Sequence, residues 1–239
     1  MTLAPAALNT LPPELHGRLL WTALTGEQRR HSLGDDLARR FHPDIGPLAA
    51  IREDTPECLA ALGRLAQETG PLALMQPGAV LKVPGTETVK IGAGVRMVLA
   101  DTPPLKHASE AVPVRLSQRD FPEMLELATL TAPGPFGTRT GDLGQFWGIR
   151  ENGRLLAMAG RRITTANVVE VSGVCTHPDA RGRGLAALLS RHVADSILAE
   201  GRLPILHAYS DNERALAIYR DLGFTLQEHV TLTIYAPVP

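Results

Sequence analysis

Val174-Cys175-Thr176-His177-Pro178-Asp179-Ala180-Arg181-Gly182-Arg183-Gly184-Leu185-Ala186 is the stretch whose reading decides the fold of this chain. An apolar, β-branched run enters it and an apolar helical pattern leaves it at Leu185, so a strand passes through a glycine-bearing loop into a helix. Glycines let a backbone approach a ligand closely, and the first N–H groups of a helix have no partner within it. With the helix dipole behind them, such amides suit a phosphate or pyrophosphate. Arg181 and Arg183 bring guanidinium groups to the same place. A Walker loop is excluded, because no Gly-Lys-Ser/Thr follows. Gly182-x-Gly184-x-x-Ala187 matches a dinucleotide loop on paper. Such a loop, however, begins directly after its strand and is followed roughly 20 residues later by an acid. Here His177 to Arg181 intervene, and no well-placed acid precedes Asp211.

The elements around the loop follow a definite order. Val168 to Thr176 reads as a long strand, and the helix from Leu185 to Ala199 stops at Gly201. Ile205 to Tyr209 is a strand, Asn212 to Leu222 a helix closed by Gly223, and Val230 to Tyr235 a final strand. Upstream, Val114 to Leu116 is a short strand, Phe121 to Leu130 a helix, and Ala132 to Gly137 a Gly/Pro loop. Phe146 to Arg150 and Leu155 to Arg161 flank Glu151-Asn152-Gly153, a strong hairpin signal. The order βα-βββ-α-β-α-β mixes hairpins with helical crossovers. It predicts an α+β fold with a mixed, mostly antiparallel sheet flanked by helices.

The Pro-rich segment from Asp101 to Pro113 removes backbone donors and reads as a linker. It predicts an N-terminal α+β domain, residues 1–110, and a second domain, residues 111–239. In the first, Glu14 to Leu24 reads as helix, followed by an Arg-rich polar segment. A second helix opens at Thr55-Pro56-Glu57, with Thr55 as cap, and ends at Gly70. Leu72 to Met75, Val80 to Val83 and Val95 to Leu99 read as strands. No catalytic motif is found there. His16, His31 and His42 lack metal-ligand spacing, no metal is expected, and Cys58 reads as a small core residue.

Arg181-Gly182-Arg183-Gly184-Leu185-Ala186 fits every position of Arg/Gln-x-x-Gly-x-Gly/Ala, the acyl-CoA signature of the GNAT N-acetyltransferase superfamily, which the chain resembles. Asn212-x-x-Ala215-x-x-x-Tyr219-x-x-x-Gly223-Phe224 is similar to that family's late helix and the turn after it. The resemblance covers about Val112 to Ala236, and the strand order agrees with it. The first half matches nothing so well, and its helix-strand-strand-strand tail is open to reading as a worn second copy of the same fold.

The resemblance implies a V-shaped cleft where strand Val168 to Thr176 splays from strand Ile205 to Tyr209. The pantetheine arm of acetyl-CoA would bond along Val174, Cys175 and Thr176, and an N–H near Val174 would polarise the acyl carbonyl. The pyrophosphate would rest on the N–H groups of Gly182, Arg183, Gly184, Leu185, Ala186 and Ala187, beside Arg181. Asn212 would bind the arm or order the loop. Tyr219 stands at the family's general-acid position, with a core aromatic beside Phe224 as the other reading. Glu170 is the candidate base. Strand alternation puts Glu170, Ser172, Val174 and Thr176 on one face if no bulge intervenes, and Cys175 on the other. Glu170 reads equally well as a structural partner for Arg161 or Arg162. His177 reads as a structural loop residue. The implied reaction is direct acetyl transfer from acetyl-CoA to a primary amine, by a monomer or homodimer. A rival is an acyl-CoA-binding sensor or scaffold without turnover.

Composition bounds these readings. The chain has 239 residues, 44% hydrophobic and 21% charged, with formal net charge −1. The apolar fraction is too high and the charge too low for a disordered chain. No positive excess exists to replace counterions along nucleic acid, so none is expected as a partner. Two cysteines cannot form a disulfide framework, which suggests a reducing cytoplasm. No apolar run approaches the roughly 20 residues of a spanning helix, and the first residues lack the charged region of a secretory signal. Lysine occurs only at Lys82, Lys90 and Lys106.

Overall fold

In the computed structural model, which describes residues 11–106 and 109–238, the Arg-rich segment after the first helix is itself β-structure. A 3-10 turn, Pro13–Leu15, and α1, Leu19–Thr25, replace the single helix expected from Glu14 to Leu24. Gly17, a poor helix former, lies at the break. Three short strands follow: β1 (Ser32–Gly34), β2 (Ala38–Phe41) and β3 (Leu48–Ile51). Thr55 caps α2 (Pro56–Thr69), its hydroxyl accepting from Cys58 N–H at 3.4 Å. Gly70 ends the helix at φ 84°, in the left-handed region open to glycine.

Next come β4 (Leu72–Gln76) and β5 (Thr86–Leu99), the latter far longer than the expected Val95 to Leu99. Val80 to Val83 is not a strand. Its apolar side chains Leu81 and Val83 pack against the α2 core instead, and Leu81 C=O accepts from the Tyr235 hydroxyl at 2.7 Å.

The second half gives β6 (Val114–Arg115), α3 (Phe121–Thr131), β7 (Phe146–Glu151), β8 (Arg154–Thr164) and β9 (Val168–Thr176). Then follow α4 (Leu185–Leu198), β10 (Leu203–Tyr209), α5 (Glu213–Asp221) and β11 (Phe224–Pro237). Asn152 and Gly153 turn the β7–β8 hairpin with φ 49° and 80°, the two positive values such a turn requires. The fold is the mixed α+β architecture read from the sequence.

The eleven strands among the described residues share one sheet, ordered β1-β2-β3-β4-β11-β5-β10-β9-β8-β7-β6. Each half contributes a helix, antiparallel strands, a crossover helix and a parallel partner strand. β3 pairs parallel with β4 as β9 does with β10. The last strand of each half is exchanged: β5 lies beside β10, and β11 beside β4. The linker after Ala100 therefore divides the sequence but not the sheet, because β5 is hydrogen-bonded between β10 and β11. Leu189, Val193 and Ile197 of α4 pack on one face, with α2 farther along it. Meanwhile α1 and α3 cover the opposite face.

Candidate active site

Parallel pairing of β9 with β10 stops at Glu170 opposite Ile205, so the two strands separate beyond that point. The cause lies in β9. Its register with β8 slips between Ser172 and Cys175, and Gly173 takes φ 62° at that bulge. The bulge corrects the expected alternation. Glu170 and Ser172 remain on one face, but Val174 and Thr176 move to the other. Cys175 comes to Glu170's face and packs in the α3 core with Met158 and Phe146. Burial pushes its thiol pKa up to about 11, as suits a packing residue.

The gap opens into a cavity of about 610 Å³ between β9, the loop and α5. Thr176 lines it, and its Oγ1 is buried without a partner among the described residues. Gly182 and Gly184 adopt φ 80° and 73° and turn the chain into α4. Among the described residues, no acceptor pairs with the amides of Gly182, Arg183, Gly184, Leu185, Ala186 or Ala187. Six consecutive N–H groups without a partner at a helix start are an array whose chemistry suits an anion. Arg181 lines the cavity, whereas Arg183 is turned away to pair with Glu151. The expectation that both guanidinium groups face the anion is thus corrected for Arg183, which the Glu151 carboxylate draws outward. Lys106 and Arg214, which no motif marked, border the same cavity.

Helix α5 forms the other wall. Asn212 Oδ1 accepts from Ala215 N–H at 3.1 Å, so its oxygen caps the helix and orders the turn. Tyr219 reaches the cavity while its ring meets Phe224 edge-on, with centroids 6.3 Å apart. Burial, with Glu170 and Cys175 adding to it, pushes the phenol up to about 12, so it stays protonated. His177 is structural, its Nδ1 accepting from Asp179 N–H at 3.2 Å.

A smaller cavity of about 140 Å³ continues from the first. Val174, Tyr209, Asn212 and Tyr219 line both. Its walls add Leu48 and Met75 from the first half, Leu232 from β11, and Gly134 and Pro135 from the loop after α3.

Glu170, the candidate base, is engaged in the partnership with Arg162 that the sequence offered as its other reading. It is wholly buried and accepts from Arg162 Nε at 2.8 Å and Nη2 at 2.6 Å. Its Oε1 also lies 2.9 Å from His207 Nδ1. Burial alone would raise its pKa, but the Arg162 charge and hydrogen bonds, with His207, hold it at about 2. A carboxylate so held takes no proton near neutral pH, and its Arg162 partnership is the structural reading of the sequence.

The first half lacks the anion site. Where the second half has glycines, the β3–α2 connection has Arg52-Glu53-Asp54-Thr55. Two carboxylates there oppose an anion, Thr55 occupies the cap, and Asp54 is paired with Arg18 at 2.9 Å.

A splayed sheet, a free-amide helix start and a tyrosine facing it define an acyl-CoA-type transferase fold. The FR47-like protein family matches residues 146–232. A GNAT-family acetyltransferase structure from Novosphingobium aromaticivorans is 37% identical, covers 92% of this chain and 97% of its own, and superposes with a TM-score of 0.83. A GCN5-related N-acetyltransferase from Kribbella flavida is 20% identical over 92% of this chain and 94% of its own, with TM-score 0.62. A tandem GNAT protein of the clavulanic acid biosynthesis pathway, 15% identical, covers all of this chain and 98% of its own, with TM-score 0.53. No curated protein matches. The chain belongs to the GNAT acetyltransferase family. Among the described residues, no helix is long and apolar enough to cross a membrane.

Proposed function

We propose that the protein transfers an acetyl group from acetyl-CoA directly to a primary amine. The observation that carries this reading is the run of six unpartnered amides, Gly182 to Ala187, opening on the cleft that Tyr219 lines. The pyrophosphate rests on those amides, with Arg181 beside it. The arm lies along β9 at Val174, Cys175 and Thr176, where Thr176 Oγ1 gains the partner it lacks. The amine attacks the thioester carbonyl, and the tetrahedral oxyanion is held by an N–H near Val174. As the C–S bond breaks, Tyr219 hands its proton to the departing sulfur. The first half contributes walls to the acceptor side rather than a second cofactor site, as a worn copy of the fold would.

Acetyl-CoA is expected to raise the melting temperature, and NAD is not. Binding to the folded state alone contributes about 2.7 kcal/mol at a hundredfold excess over Kd. Thiol release with a panel of primary amines separates a transferase from a module that merely holds acetyl-CoA. Equal shifts with both ligands, or binding without thiol release, overturn the proposal.

A further inference from the structure

We infer that His207 is the base that takes the proton from the acceptor ammonium, with Glu170 as its positioning residue. The inference rests on the transferase reading above.

Three facts carry it. His207 lines the small cavity together with Tyr219, so one bound acceptor can reach both groups. Its Nδ1 is fixed by Glu170 at 2.9 Å, which leaves Nε2 as the ring nitrogen available to a substrate. Glu170 is itself locked by two hydrogen bonds from Arg162, so the imidazole is held by a chain of three side chains from three adjacent strands, β8, β9 and β10. This is the arrangement by which a buried carboxylate orients a histidine base. It also explains why a carboxylate sits at the apex of the splay, where an unpartnered one would be costly.

The charged groups around His207 are Glu170 from β9, Arg162 from β8 and Arg96, which lies opposite it on β5. Tyr219 faces the same cavity from α5. On its other side His207 borders a second cavity shared with His16, Arg18 and Asp54. Burial, reinforced by the two arginines, outweighs Glu170 and keeps the imidazole neutral and able to accept.

The proton balance closes. R–NH₃⁺ gives one proton to His207 Nε2, which returns it to solvent, and the neutral amine forms the C–N bond. When the C–S bond breaks, the sulfur takes a proton from Tyr219. The phenolate recovers one from the N-protonated amide that collapse of the adduct leaves, giving the amide, CoA thiol and one released proton.

The test compares His207→Gln with the parent protein, using benzylamine, an ammonium at neutral pH, and aniline, which is already neutral. Thiol release is followed together with acetyl-CoA-induced stabilisation. The expected result is a fall of about 100-fold in kcat for benzylamine, less than threefold for aniline, and unchanged acetyl-CoA stabilisation. Raising the pH should restore part of the benzylamine rate. In Glu170→Gln the acid limb of the benzylamine profile should move to lower pH, because the charge that raises the His207 pKa is gone. Equal losses for both amines, no loss for either, or an unshifted limb in Glu170→Gln overturns the inference. Acetyl-CoA stabilisation with no thiol release from the parent protein overturns the transferase reading and this inference with it.

Discussion

Tyr219→Phe removes one oxygen and leaves the ring on Phe224, so packing should barely change. Turnover should fall by about 10²–10⁴, the range for a positioned general acid. Acetyl-CoA stabilisation should hold, since amides grip the ligand. The phenol at about 12 is a weaker acid than a thiol near 8.5, so the transfer requires that burial in the cleft also raise the basicity of the departing thiolate. A fall of less than about threefold would make water the acid. Glu170 makes a separate prediction about stability. Its folded pKa of about 2 lies below the ordinary 4.5, so its contribution is complete above pH 4.5 and is lost as pH falls toward 2. Melting temperature should drop across that window more steeply in the parent protein than in Glu170→Gln. Equal slopes would remove Glu170 from the acid limb. At this scale the loop glycines and Tyr219 were legible because their spacing is local. His207 was not, since its significance arises only when Arg162 and Glu170 meet it across strands.

The loop into α4 shows how an element can be read from sequence and still be read incompletely. Gly182 and Gly184 announce a tight helix entry, but nothing local reveals that Glu151 on the β7 end will turn Arg183 away. Gly184→Asp tests the entry. Aspartate tolerates the left-handed region at a penalty of about 1–2 kcal/mol, so the fold should persist. Its carboxylate would stand where the pyrophosphate should lie, and acetyl-CoA stabilisation should vanish. Unchanged affinity in a folded variant would place the phosphate elsewhere. Strands β1 to β3 escaped a periodicity reading for a different reason. Arg39 and Arg40 break the apolar pattern of β2, yet both are buried. The Arg40 guanidinium donates to the carbonyls of Thr69, Gly70 and Pro71, satisfying the end of α2. An arginine used as a long-range cap looks polar to any local pattern. The β9 bulge was hidden likewise: Gly173 marks where it can occur, but only the register with β8 shows that it does.

The exchange of β5 and β11 is a property of the whole molecule, and no local pattern predicts it. The linker is genuine as sequence: proline keeps residues 101 to 106 and 109 to 113 out of helices and strands. What crosses it is pairing between strands more than a hundred residues apart, which composition cannot register. The consequence can be tested by cutting the chain at the linker. Residues 111–239, the second domain expected from the sequence, hold the glycine loop, Glu170, His207 and Tyr219, so on sequence grounds they are expected to stand alone. In the structure they lack β5, which pairs along the whole of β11 and fills the space between it and β10. They lack β4 as well, so β10 exposes one unpaired edge and β11 both of its edges, while Leu206, Phe224 and Leu222 lose the cover of Met97 and Leu99. The fragment alone should therefore aggregate or melt without cooperativity. Co-expressing residues 1–110 as a separate chain should restore a folded heterodimer that acetyl-CoA stabilises. Size-exclusion chromatography and thermal melts of the two preparations decide the matter. A monomeric 111–239 fragment with a cooperative transition and intact acetyl-CoA stabilisation would show that β5 is dispensable, and that β11 can close directly on β10 when β4 and β5 are absent.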